Sequence, residues 1–157
     1  MRLEYFQLID RIIDLNLNDL TIRVEANVPT ESTIFEGHFP GRPLMPGVLL
    51  IESMAQASGW LIIGRMRFEK MPFLAAVKEA KLRTFVTPGQ ALTISARIVH
   101  EGSGFAMTEA SVAVDGKTVS NADITFRVVD FPKGDFLDNM HAVARRIAFP
   151  LEAVAHG

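Results

Sequence analysis

The sequence predicts an α+β fold in which an antiparallel sheet packs against one long apolar helix. Two observations predict it. From Val48 to Ile63 the only ionisable side chain is Glu52, and a helix that is apolar on every side is expected to be buried on every side. After that run come evenly spaced segments of alternating apolar and polar residues, separated by turn signals, which is the pattern of hairpin strands. The 157 residues suit one domain with a sizeable core. A hydrophobic share of 48% with 22% charged residues excludes a disordered chain. The net charge of −2 gives no sign of general nucleic-acid binding, and the absence of cysteine removes disulfides and thiolate metal sites. Met1-Arg2-Leu3-Glu4 opens no apolar signal segment, so the expectation is a soluble cytoplasmic protein. The central run, interrupted by Glu52, Gln56 and Gly59, is short for a membrane span, which needs about 20 mostly apolar residues.

Taken in order, Phe6 to Leu15 opens with a helical turn and passes into a strand near Ile9. Asn16-Leu17-Asn18-Asp19 supplies turn residues. Leu20 to Val28 alternates, with Ile22, Val24 and Ala26 on one side, and predicts a second strand. Pro46 suits the first position of the central helix, where a missing N–H costs nothing. Arg65 to Met71 is its exit, and Pro72 starts a long strand, Phe73 to Val86. Thr87-Pro88-Gly89-Gln90 is a turn. Ala91 to Val99 places Leu92, Ile94, Ala96 and Ile98 on one face. A turn at Glu101 to Gly104 leads into Phe105 to Val114, and Asp115-Gly116 is a hairpin signal before Lys117 to Val129. Asp135 to Ile147 predicts an amphipathic helix with Phe136, Met140, Val143 and Ile147 on one face, ended by Pro150. We therefore divide the chain into a domain over residues 1–131 and a partly helical extension over 132–157.

The chemistry gathers at Gly37 to Gly59. Prolines 40, 43 and 46 with glycines 37, 41 and 47 give the loop an unusual, stiff path, which is a way to hold His38 at one position. Histidine is the side chain whose ordinary pKa suits proton abstraction near neutrality. Glu52, desolvated inside a wrapped helix, would tend to hold its proton and act as a general acid. Gln56 lies one turn on, either to orient Glu52 or to satisfy a core backbone group. Gly47 either allows a close backbone approach or offers its N–H to a developing oxyanion at the helix N-terminus. A base, an acid and an oxyanion donor are what proton abstraction beside a carbonyl, followed by loss of water, would use.

His-Phe-Pro-Gly at 38–41, Met-Pro-Gly-Val-Leu at 45–49 and Glu-x-Met-Ala-Gln at 52–56 resemble the signature of the FabZ-type 3-hydroxyacyl-[acyl-carrier-protein] dehydratases. The resemblance implies a hotdog fold, an antiparallel sheet wrapped around a long central helix. It implies dehydration of (3R)-hydroxyacyl chains to trans-2-enoyl chains without metal or other cofactor, the substrate riding on the phosphopantetheine of acyl carrier protein. The catalytic pair maps onto His38 and Glu52. The related dehydratase/isomerase branch has Asp at the carboxylate position and Trp where Ala55 stands, so Glu52 and Ala55 favour the plain dehydratases. A second similar block runs from Lys78 to Gly89, where Ala80, Lys81, Arg83 and Pro88-Gly89 match and Phe85 stands in place of a usual proline. The family's usual His-Arg and Pro before the first strand are absent. The resemblance also implies a homodimer with active sites shared between protomers, and dimers that assemble into hexamers.

Arg42, Lys81 and Arg83 are either ordinary solvated charges or a basic rim for an acidic carrier protein. His100, His141 and His156 have no evident partner, and no ligand spacing supports a metal site. Two other readings stay open: a hotdog thioesterase or enoyl-CoA hydratase, which generally lack the His-Phe-Pro-Gly loop, and a non-catalytic acyl-binding hotdog, which has no use for a matched acid and base.

Overall fold

Six strands form a single antiparallel sheet in the computed structural model, which describes residues 1–155. They are β1 (Arg11–Asn16), β2 (Thr21–Asn27), β3 (Lys70–Leu82), β4 (Ala91–Gly102), β5 (Phe105–Val114) and β6 (Lys117–Asp130). The helices are α1 (Thr33–Gly37), α2 (Gly47–Arg65), α3 (Phe136–Arg146) and α4 (Glu152–Ala155), with one 3₁₀ turn at Leu3–Tyr5. The sheet order is β1-β2-β4-β5-β6-β3, so the chain passes from β2 through α2 and re-enters at the far edge. This is the hotdog arrangement expected from the sequence.

The alternation of the strands sets which face meets the helix. Val24 pairs with Ile94, and Ile94 with Val112, which keeps three buried side chains in line across the sheet. Two of the hairpins turn on pairs with positive φ, Ser103-Gly104 at 54° and 78° and Asp115-Gly116 at 50° and 78°. That geometry matches the right-handed twist of the strands it joins. The third strand is longer at its start than expected: β3 begins at Lys70, two residues before Pro72, and ends at Leu82 rather than Val86. Pro72 is tolerated inside it because β3 is an edge strand, where a proline need not donate to a neighbour.

The sheet curls around α2, whose residues from Ser53 to Gly64, apart from Gln56, are buried. Met54, Leu61 and Ile62 are fully enclosed, each contributing roughly 1.5–3 kcal/mol by leaving water. Ser58 and Thr108, both buried, satisfy each other through a 2.8 Å hydroxyl–hydroxyl bond. By length and composition alone α2 could cross a membrane, but two-thirds of it is packed inside the fold. All-round burial fails at the terminal Arg65, which is exposed, and in the first three turns: Val48 is 70% exposed, and Ile51, Glu52 and Gln56 are half-buried. Nor does Pro46 begin the helix. With ψ at 132° it stands just outside, and Gly47 takes the first position.

The C-terminal segment returns to the core. Ala144, Ile147 and Phe149 are buried, and the Ile147 carbonyl accepts a bond from Ile12 N–H at the start of β1. The expected helix ends at Arg146, one residue before Ile147 and four before Pro150. Ala148 turns left-handed at φ 56°, and the Phe149 and Ala148 N–H groups return to the carbonyls of Ala144 and Arg145. This is the Schellman ending, with alanine at the position usually held by glycine.

Candidate functional site

The segment before α2 is fastened at both ends. Ser32 caps α1 by accepting the Ile34 N–H, and Glu4 accepts the Ser32 hydroxyl and the Thr33 N–H. A short helix there was not foreseen, although serine before Thr33 is its capping signal. His38 ends α1, donating its backbone N–H to Ile34. Phe39 and Arg42 exchange backbone bonds around the Pro-Gly turn, and the Met45 N–H reaches the Val86 carbonyl beyond β3. The peptide between His38 and Phe39 is cis, and the two rings stack at 4.1 Å.

These ties place His38 in one orientation. Its carbonyl accepts the Leu44 N–H at 2.9 Å, and its ring Nδ1 lies 3.0 Å from the Leu44 carbonyl. A carbonyl only accepts, so Nδ1 carries the proton and Nε2 holds the free lone pair of the neutral ring. The stiffness expected of the loop is therefore spent on the tautomer as well as the position of the ring.

His38 lines a cavity of about 510 Å³ with Phe39, Leu44, Gly47, Leu82 and Phe85. Gly47 N–H is the first donor of α2, and among the described residues it has no hydrogen-bond partner. A Cβ at this position would run into the Leu82 side chain, so the close approach and the free donor are both present. Phe85 is 72% exposed beside them. Sequence reasoning noted it only as a substitution for proline.

Glu52 does not line this cavity. It opens into a second one, of about 220 Å³, with Gln56, Trp60, Ile63, Phe126 and Met140. Helical periodicity is the reason. Gly47 and Leu50 lie three residues apart on one side of α2, while Glu52, Gln56, Gly59 and Ile63 follow at steps of three and four on another. Within one chain, then, the candidate base and oxyanion donor are together, and the candidate acid is elsewhere. The enclosure expected of Glu52 is also missing from the single chain, where it is half-buried at the mouth of the cavity that it lines.

Gln56 serves both readings left open for it. Its Nε2 donates to Glu52 at 3.2 Å and to the Phe6 carbonyl at 2.7 Å, and its Oε1 accepts the Leu8 N–H at 3.3 Å. It thus fastens the N-terminal segment to the helix turn that carries Glu52.

Of the three basic residues, Arg83 lines the His38 cavity with its guanidinium held by two bonds to Asn121 Oδ1. Arg42 at the loop tip and Lys81 on β3 are exposed and lie outside both cavities. His100 is exposed on β4, His141 packs its ring 4.8 Å from Phe68, and His156 lies outside the described residues. Among the described residues no group of three histidine, aspartate or glutamate side chains is arranged to hold a metal.

The family model for FabA-like domains matches residues 2–123. The chain is 39% identical over 120 residues to the 3-hydroxyacyl-[acyl-carrier-protein] dehydratase FabZ of Levilactobacillus brevis, covering 76% of this chain and 80% of that one. It is 35% identical over 125 residues to the FabZ of Fusobacterium nucleatum, covering 80% and 88%. Among solved structures, the dehydratase heterocomplex ApeI:P of Xenorhabdus doucetiae superposes with a TM-score of 0.62 at 17% identity, over 87% of this chain and 90% of that one. A hypothetical thioesterase of Streptococcus pneumoniae, solved with coenzyme A, superposes at 0.61 and 17% identity, over 78% and 88%. At such identities these two structures share the fold, and only the fold.

Proposed function

The chain belongs to the FabA-like domain family, among its FabZ-type dehydratases, and from that premise we propose how its residues divide the work of a hydro-lyase. The reaction converts a (3R)-3-hydroxyacyl chain on acyl carrier protein to the trans-2-enoyl chain in the building of fatty acyl chains. His38 Nε2 takes a proton from C2. The charge that develops on the thioester oxygen is met by the Gly47 N–H at the start of α2, where the helix dipole adds to the bond. Glu52, in its acid form, gives a proton to the 3-hydroxyl. The C3–O bond breaks, the C2–C3 double bond forms and water leaves. The sequence of steps uses no metal or cofactor of the protein's own.

The observation that carries this reading is the His38 tautomer, locked by Leu44 with its lone pair left on Nε2 in the cavity shared with Gly47. The separate location of Glu52 supports a further point: the acid is supplied by a second copy. Leu82 and Phe85 are exposed around the His38 cavity, Val48 on the first turn of α2, and Phe73 and Leu74 on the unpaired edge of β3. A two-fold partner laid against that edge would cover this apolar rim and bring its own Glu52 to His38. Arg83, with Arg42 and Lys81 beyond it, would then form a basic border at the mouth for an acidic carrier protein.

The test uses two inactive variants, His38→Ala and Glu52→Gln, with enoyl formation followed by mass. Each alone should lose turnover. Mixed as equal parts, dissociated and reassembled, they should recover about a quarter of wild-type activity, since half of a random set of two-fold dimers carries one intact site of two. No recovery from reassembled dimers would place base and acid in the same chain and overturn the shared site.

A further inference from the structure

The second cavity reaches beyond the residues that the family shares. Its floor is one side of α2, where Glu52, Gln56, Gly59 and Ile63 follow one another. At about 1.5 Å of rise per residue this strip runs for roughly 16 Å. Gly59 leaves it open in the middle, since a Cβ there would touch only Pro72 at 3.7 Å. Trp60 and Phe126 supply apolar walls. Met71, Pro72 and Leu74 of β3 line another side, and the last wall is Met140, which belongs to α3, beyond the end of the family match at residue 123.

The position of Met140 is fixed by what surrounds it. Its neighbour His141 packs on Phe68, just past the C-terminus of α2. Phe149, returning after α3, stacks edge-on with Phe68 at 5.3 Å and lies 5.8 Å from Trp60. Gly64 lets it come close: a Cβ there would stand 3.1 Å from the Phe149 ring. The Ile147 carbonyl is tied to Ile12 on the sheet. Of these contacts, Trp60 and Gly64 lie in the C-terminal half of α2 and Phe68 just beyond it, so α3 is anchored at the end of the strip remote from Glu52.

We propose that this cavity receives the distal part of the acyl chain, that α3 is its end wall, and that Met140 sets the chain length accepted. The inference rests on the dehydratase reading above, in which Glu52 acts on the 3-hydroxyl. The chain then runs from the reacting carbons at Glu52 along the α2 strip toward α3. Methionine suits an apolar end wall, being long, unbranched and free of polar groups that a buried chain end would leave unpaired. Met140 is a specificity-determining residue here and takes no part in the proton transfers.

The experiment measures kcat/KM for 3-hydroxyacyl-carrier-protein substrates from short to very long, with the wild type, Met140→Ala, Met140→Trp and, as a volume-conserving control, Met140→Leu. Met140→Trp should depress the longest substrates by at least about tenfold and leave the shortest unchanged, because methylene-scale differences in an apolar pocket discriminate by about that much. Met140→Ala should move the optimum to longer chains, and Met140→Leu should keep the wild-type profile. A purely structural role would scale every chain length together. Parallel or unmoved profiles in a set led by an active wild type overturn this inference alone. A wild type that dehydrates no length overturns the dehydratase reading, and this inference with it. If Met140→Trp does not fold, the Met140→Ala profile decides.

Discussion

In its C-terminal half α2 is enclosed: Leu61 and Ile62 have no exposure, and Trp60, Phe68 and Phe149 close over its end. In its N-terminal half Val48 is 70% exposed, Glu52 and Gln56 are half-buried, and among the described residues the Gly47 N–H has no partner. One rod therefore has a half that holds the fold and a half left open for chemistry. An uncovered helix start contributes little burial to folding, but it keeps the donor and carboxylate that an enclosed start would have to satisfy internally. Substitutions in the two halves should accordingly fail in different ways.

The largest effect is expected at the open half. His38→Ala and Glu52→Gln should each lower turnover by at least about 10²-fold, the scale of acid–base catalysis, while thermal unfolding stays close to that of the wild type. A variant that lost activity only because it melted would erase the contrast. In the enclosed half, Phe149→Ala should cost about 3–5 kcal/mol in urea unfolding, since a buried ring is removed from between Trp60, Phe68 and Gly64. Stability equal to the wild type would mean that the C-terminal segment does not hold α2.

A smaller effect sharpens the same contrast. Thr108→Val strands the Ser58 hydroxyl in the core and should cost about 1–3 kcal/mol, and adding Ser58→Ala should recover part of the loss. A double variant less stable than the sum of the singles would show that the pair does more than satisfy itself.

The smallest effect concerns the anchor of the His38 segment. The Ser32 hydroxyl, with help from the Thr33 N–H, holds the Glu4 carboxyl below the ordinary carboxylate value. Because the folded value is the lower one, this contribution is present above the ordinary value and is lost as pH falls through the folded value. Glu4→Gln should flatten the acid limb of stability below about pH 5, from the ordinary carboxylate value downward. An unchanged limb would remove Glu4 from the support of α1.

The sequence alone determined the elements and the inventory of groups. Alternation at Ile22, Val24 and Ala26, and again at Leu92 to Ile98, is local and survives into the sheet, because a strand's two faces follow from a period of two. The near absence of charge from Val48 to Ile63 marked the core helix, and the prolines and glycines around His38 marked a stiff loop. Tertiary structure decided which groups meet. Glu52 turns to a different cavity from His38 because helical phase and sheet position together choose its neighbours. Met140 was legible as part of an apolar helix face, but its place in the cavity of Glu52 depends on the fold of the chain after β6. Aromatic packing of Phe149 and His141 on Trp60 and Phe68, between segments remote in sequence, brings it there, and such contacts leave no local period to read.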